Sequence, residues 1–474
     1  MKNFAILSLI LSAGCGKQDP PAALTPAPTP QQLEWQKLEY YMFMHFGPNT
    51  FTNMEWGSGE EKPEVFNPTE LDCRQWAATA KAAGMKGIIV TAKHHDGFCL
   101  WPSAFSTHTV RESQWKDGKG DVLKELSDAC REYDLKFGVY LSPWDRNHPT
   151  YGTDDYNLTF ANMLKEVLGN YGEVFEQWFD GACGEGPNGK KQVYDWELFN
   201  RTVLELQPDA VIFSDVGPGC RWIGNEAARA GETNWSKLNV AGFEPGEKAP
   251  KTGILNKGEI DGENWIPGEA DVTIRPGWFY SPETDDKVKS VSRLLDIYYS
   301  SVGRNVNLLL NVPPDRRGRI HPTDSLRLME FRRALDEIFA ENLAEKADIK
   351  ATNVRYNSNK FSPRKMLETE NYDSYWAADD NVIQATITLD LKAEKTFNRL
   401  TLQEYIALGQ RIKAFSVEYW DGENWQLIDR QTTVGYKRIL CFPTITAQKI
   451  RINIEDALAC PVLNGVGLYL QKIT

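Results

Sequence analysis

The sequence predicts a (β/α)8-like barrel of the TIM type followed by an all-β sandwich. Two observations carry this. Between residues 32 and 345 short apolar runs alternate with helix-like stretches, the pattern of βα units and a parallel sheet. After Glu345 the segments become short, β-rich and separated by turn residues such as Asp421-Gly422. A chain of 474 residues has room for both, since a barrel alone takes roughly 250.

The first segment reads as an address. Lys2 precedes the apolar run Phe4–Leu11, and Ser12-Ala13-Gly14-Cys15 resembles a lipoprotein signal-peptidase site. Residues 1–15 are therefore expected to be removed or lipidated, with Cys15 as the lipid anchor. Ser12 stands where Leu is commonest. Lipidation implies an exported protein, periplasmic or on the cell surface, whose membrane association is through the anchor alone. Residues 16–31 are rich in Pro, Ala and Thr and are expected to be an extended spacer. The expected barrel strands are Tyr41–Phe46, Gly87–Thr91, Lys136–Leu141, Val174–Phe179, Ala210–Ser214 and Val306–Val312, with helices over Leu71–Ala83 and Val122–Tyr133. An open doubly wound sheet is disfavoured because no GxGxxG follows a strand. The stretch Asp324–Lys346 is expected to be the helix joining the barrel to a sandwich over 346–474.

Composition excludes several classes. A formal charge of −12 argues against nucleic acid as a partner. The hydrophobic fraction of 41% and charged fraction of 25% are those of globular proteins. Eight widely spaced Cys without a CxxC pair give no metal spacing, and no cofactor is called for. Removal of Cys15 as an anchor leaves an odd number of thiols, so disulfides are not the main staple.

The polar residues gather at the expected strand ends: His45; Lys93-His94-His95-Asp96; Tyr140 and Trp144-Asp145; Trp178 and Asp180; Ser214-Asp215. The C-terminal strand ends of such a barrel build its active site. Two chemistries fit. One is metal-assisted hydrolysis with His45, His94, His95 and Asp96 as ligands. The other is glycoside hydrolysis by a carboxylate pair, with neutral His binding hydroxyls. A silent glycan-binding barrel is a third reading.

The segments His45-Phe46-Gly47, Glu55-Trp56-Gly57, Lys93-His94-His95-Asp96-Gly97-Phe98, Trp178-Phe179-Asp180-Gly181, Arg221-Trp222-Ile223-Gly224-Asn225-Glu226 and Asn307-Leu308-Leu309-Leu310-Asn311 resemble the α-L-fucosidases of glycoside hydrolase family 29. The forms around Asp180 and Glu226 resemble the branch acting on α-1,3/1,4-linked fucose. The resemblance implies an exo-acting, retaining α-L-fucosidase working on fucosylated oligosaccharides or glycoconjugates, with a jelly-roll, galactose-binding-like domain after the barrel. It implies Asp180 as nucleophile and Glu226 as general acid/base, with Glu269 as rival for the latter role. It places His45, Glu55, Trp56, His94, His95, Tyr140 and Trp178 around the sugar, with Arg221 also reaching the pocket. Trp222 and Asp195 are candidates for touching the neighbouring sugar. The Gly-rich loops Gly181–Gly186 and Gly217–Gly219 are expected to wall that side.

Overall fold

The computed structural model describes residues 18–368 and 371–472. Cys15 and the expected signal segment lie outside these residues. Eight parallel strands close into a barrel: β1 (Tyr40–Met44), β2 (Gly87–Lys93), β3 (Lys136–Leu141), β4 (Glu176–Trp178), β5 (Val211–Ser214), β6 (Cys220–Trp222), β7 (Gly268–Thr273) and β8 (Val306–Asn311), with β8 pairing back to β1. Six coincide with the apolar runs. β6 and β7 do not register as such: β6 has three residues, and β7 carries Glu269 and Asp271 where an apolar run would need hydrocarbon.

Side-chain alternation divides the strands between two apolar layers. Tyr40, Met42 and Met44 of β1, Ile88 and Val90 of β2, and Leu308 and Leu310 of β8 face the surrounding helices. Tyr41, Phe43, Ile89, Tyr140, Trp178, Phe213 and Leu309 fill the barrel interior. Trp35, from the helix Pro30–Gln36, joins this inner cluster, and the Asn307 amide donates to its backbone carbonyl at 2.8 Å.

Helices Cys73–Ala82, Val122–Glu132, Asp154–Asn170 and Trp196–Leu206 follow β1 to β4. Asp72, Asp121 and Asp195 cap three of them, each accepting a backbone N–H of the first turn. The second half is irregular. No helix separates β5 from β6, and only the six-residue Thr252–Lys257 lies between β6 and β7. The chain turns tightly at Gly217–Gly219, where a Cβ on Gly219 would sit 2.5 Å from the Ile212 amide nitrogen. This triplet is thus the return between two strands and not the expected wall of the site.

Helix Pro322–Phe339 leads out of the barrel, and the C-terminal sheet begins at Asp348. Seven antiparallel strands form this domain. Two of them, Ala385–Glu404 and Arg438–Ala457, run 20 residues each and shift register at Asp390/Lys395 and Phe397/Arg399. Their two halves enclose one core containing Ile387, Leu389, Leu400, Leu440, Ile450 and Ile452. Trp420 and Trp425 are cross-strand partners whose rings meet edge-on at 5.4 Å, as hairpin packing requires. Residues 18–29 are not a free spacer. They lie along this domain, with the Leu24 amide donating to Leu408 at 2.9 Å and the Arg355 Nε to Asp19 at 2.8 Å. All seven cysteines among the described residues are unpaired.

Candidate active site

The alternation of β4 builds the centre of the site. Glu176 and Trp178 point inward, Phe179 joins the outer layer, and Asp180 turns inward again one step past the strand. Two donors hold the Asp180 carboxylate, and a histidine stands beside it. Tyr140 O–H donates to Oδ2 at 3.0 Å, the Ala182 amide donates to Oδ1 at 2.8 Å, and His95 Nε2 lies 3.6 Å from Oδ2.

Three histidines line the adjoining space. The rings of His45 and His94 lie 5.5 Å apart, and those of His94 and His95 4.2 Å. Their protonation states follow from their partners. Asn311 Nδ2 donates to the Trp278 carbonyl, so its Oδ1 accepts from His45 Nδ1–H at 3.0 Å. Ser142 Oγ donates to the Trp144 carbonyl and so accepts from His95 Nδ1–H at 2.8 Å. Both Nε2 lone pairs are left for a hydroxyl donor. Burial pushes His45 down to about 3 and His95 to about 4, although Asp180 opposes the second shift. His94 is lowered by burial and then by its two histidine neighbours, and its Nδ1 has no partner. The three rings are therefore neutral hydrogen-bonding groups at ordinary pH.

Glu55 accepts the Trp278 amide at 2.7 Å, and the Trp278 ring lies 5.0 Å from His45. Trp56, 55% exposed, stands edge-on to His95 and Trp144 at the rim. Glu226 comes from the loop after β6. It lines a cavity of about 510 Å³ together with Trp178, Asp180, Asp215, Trp222 and Asp271. Burial raises the Glu226 carboxyl, the Asp180 charge raises it further, and a hydrogen bond with the Trp278 side chain opposes both. Glu226 is thus a raised carboxyl that shares its cavity with Asp180.

Trp222 takes its place in this cavity by donating Nε1–H to Asp271 at 2.8 Å. Gly181, Ala182 and Cys183 form part of the wall, as expected. A Cβ on Gly181 would lie 2.4 Å from Asp215 Oδ2, so the wall can close only with glycine there. The segment from Gly246 to Thr252 continues this wall, touching Gly181 and pinned where the Gly246 amide donates to Asp215 at 2.6 Å.

Several expectations are corrected. Arg221 does not reach the pocket. It is fully buried and donates to the carbonyls of Leu255 at 2.8 Å, Trp235 at 3.0 Å and Ile266, tying together the long β6–β7 connection. Asp195 is likewise not in the cavity. It caps the helix Trp196–Leu206, accepting the Leu198 amide at 2.9 Å. Glu269 is sealed inside the barrel, bonded to Tyr41 and to Trp178 Nε1 at 2.8 Å, so it has no path to a leaving group. The proposed metal set does not assemble either. Asp96 turns under the loop at Gly57 and caps Phe98 at 2.7 Å, away from the histidines. Among the described residues only Glu176, Cys220 and Glu269 bring ligand atoms within 4.8 Å of one another.

The sequence reading missed Trp278, Asp271, Asp215's pinning role and the Lys93–Asp145 ion pair, buried at 3.0 Å beneath the histidines. Trp278 and Asp271 belong to the end of β7. The signal was a cluster of polar and aromatic residues, Asp271 to Tyr280, that follows a strand hidden by its own acidic residues.

The comparisons agree with this geometry. A family model described as Alpha-L-fucosidase matches residues 28–336, and one for the F5/8 type C domain matches 348–462. The chain is 42% identical to Alpha-L-fucosidase 1 of Arabidopsis thaliana over 99% of its own length and 93% of the relative's. It superimposes with a TM-score of 0.89 on a Ruminococcus gnavus family 29 fucosidase solved in complex with fucose, at 34% identity and 97% coverage of both chains. A glycoside hydrolase 29 family member from an unknown rumen bacterium gives a TM-score of 0.84 at 43% identity, covering 96% of this chain and 79% of that one. With the family model spanning the whole barrel and relatives matched across both domains, the chain belongs to the α-L-fucosidases, glycoside hydrolases of family 29.

Proposed function

We propose that the chain is an exo-acting, retaining α-L-fucosidase that removes α-1,3/1,4-linked fucose from branched glycans. The observation that carries this is Asp180, fixed by Tyr140 and Ala182 and sharing its cavity with the raised carboxyl of Glu226. Neutral His45, His94 and His95 accept from or donate to the sugar hydroxyls, and Tyr140, Trp178 and Trp56 face its apolar surface. Ionised Asp180 attacks the anomeric carbon as the glycosidic bond breaks, and the Glu226 proton passes to the leaving oxygen. Glu226 then takes a proton from water, whose oxygen attacks the same carbon and releases Asp180. Two displacements give net retention, so NMR early in turnover should detect α-L-fucose first. Initial β-fucose would refute the mechanism.

The linkage preference rests on the cavity between Trp222 and the Gly246–Thr252 wall, which offers room beside the fucose for a second sugar. Two or three polar contacts there, each about 1 kcal/mol, amount to a preference on the order of 10²-fold. The comparison is kcat/KM on Lewis-type trisaccharides, an α-1,2-fucosylated disaccharide and an aryl fucoside. Equal use of all three removes the branch assignment and leaves the fucosidase intact. Export and lipidation at Cys15 form part of the same proposal and rest on the leader sequence. Labelled fatty acid should enter the wild type and not Cys15→Ser.

A further inference from the structure

Below Trp178 the barrel interior holds two carboxyl groups that the proposed chemistry does not use. Glu176 of β4 and Glu269 of β7 are both fully buried, and with Cys220 Sγ they offer ligand atoms within 4.8 Å of one another. The groups facing them come from every wall. Trp35 Nε1–H donates to Glu176 Oε2 at 2.7 Å, and Cys220 Sγ lies 3.9 Å from Glu176 Oε1. The Tyr41 hydroxyl donates to Glu269 Oε2, and Trp178 Nε1–H donates to Glu269 Oε1 at 2.8 Å. No cation is among these partners. Arg221, next to Cys220, is turned outward to loop carbonyls.

Two carboxylates in contact without a cation cannot both stay ionised. The hydrogen-bond donors decide between them. Glu269 accepts from Tyr41 and Trp178, whereas Glu176 has one strong donor, Trp35, and is the better place for a proton aimed at Glu269. Burial and the neighbouring carboxylate both drive Glu176 well above the ordinary range, while Glu269 is also raised by burial but hydrogen bonds from Glu176, Tyr41 and Trp178 offset part of that rise.

We propose that Glu176 and Glu269 share one proton and that the remaining charge, on Glu269, is a positioning device for the nucleophile. The route is short. Glu269 fixes the Trp178 ring through Nε1–H. That ring stacks on Phe213 at 3.9 Å and on Tyr140 at 5.2 Å, and Tyr140 O–H holds Asp180.

This role rests on the fucosidase reading, but its test does not depend on it alone. Glu176→Gln keeps a donor aimed at Glu269 and should retain kcat/KM within about 3-fold. Glu269→Gln removes the charge and forces its amide N–H₂ against either Tyr41 or Trp178. Its kcat should fall by about 10-fold or more, with KM changed much less. Trp178→Phe removes the Nε1–H donor together with part of the stacked indole, and because the second loss is common to both backgrounds, the double variant Glu269→Gln/Trp178→Phe should still cost less than the two single losses combined. Infrared difference spectra at neutral pH should show a protonated carboxyl carbonyl in the wild type that Glu176→Gln lacks. Absence of that band overturns proton sharing, even if fucosidase activity is present. Additive losses in the double variant overturn the route through Trp178. If Glu269→Gln does not fold, the infrared band and the Glu176→Gln kinetics still decide.

Discussion

The two halves of the barrel are built differently. From β1 to β4 each strand is followed by a helix, and three neutral histidines, Tyr140 and Asp180 sit on short, rigid strand ends. From β5 to β7 the helices nearly vanish, and the long 223–267 connection carries Glu226 while Asp215, Trp222 and Asp271 line the cavity behind it. The difference separates two tasks. Groups that must hold one sugar in one geometry are fixed at strand ends, where the backbone is ladder-bonded on both sides. In the proposed reading Glu226 and the Gly246–Thr252 wall meet the leaving sugar from a loop, which can differ in shape without disturbing the barrel, while Trp222 and Asp271 stay fixed on β6 and β7.

The largest expected effect tests the rigid half. Asp180→Asn keeps the shape and removes the nucleophile, so turnover on a fucoside should drop by roughly 10³- to 10⁵-fold with an unchanged fold by circular dichroism. Near-normal activity in the purified variant would end that assignment. The loop half is tested by Glu226→Ala, expected to lose about 10²- to 10⁴-fold on a poor leaving group. With an activated aryl fucoside and azide, much of the rate should return and the product should be α-fucosyl azide. Failure of rescue would return the acid/base role to open question.

Arg221 ties together the helix-poor connection between β6 and β7. Arg221→Met leaves three carbonyls without their donor, and the unfolding free energy from denaturant titration should fall by about 3 kcal/mol or more. A stable variant with altered linkage preference would instead place Arg221 near the substrate.

His95 of the first half and Asp215 of the second should respond to acid with opposite sign. His95, at about 4 in the folded chain against 6.5 unfolded, refuses a proton that the unfolded chain accepts. Its contribution is present above pH 6.5 and is lost as pH falls toward 4, at up to about 1.4 kcal/mol per pH unit. Asp215 is raised to about 6 from 3.8, chiefly by burial. Its contribution is present below pH 3.8 and is lost as pH rises toward 6. Stability measured from pH 4 to 6.5 should therefore flatten at its acid end in His95→Gln and steepen in Asp215→Asn. Two variants that change the curve in the same direction would contradict the contrast. The smallest effect is Asp195→Ala, which should cost about 1 kcal/mol as a lost helix cap and leave kcat/KM on branched substrates as it was.

Much of the first half was legible because its signals are local. Apolar runs of five to seven residues announce β1, β2 and β3, and the residues just after such runs fall at the mouth by geometry alone. β7 was hidden because Glu269 and Asp271 interrupt its apolar pattern, and with it went Trp278 and the partner of Trp222.

The sequence by itself determined the alternation of strands and helices, the change to β-rich texture near Glu345, and the inward face of β4 that carries Glu176, Trp178 and Asp180. A period of two residues settles which side of a strand a side chain takes. It does not say what stands opposite. Arg221 meets Ile266 and Leu255 instead of a sugar, Glu269 meets Tyr41 and Trp178 instead of a leaving group, and Asp195 finds the start of its own helix. Those outcomes belong to the tertiary structure, because closing the barrel joins residues as far apart as His45 and Asn311, 266 positions, and decides which polar groups are sealed from water with partners and which are left facing the mouth.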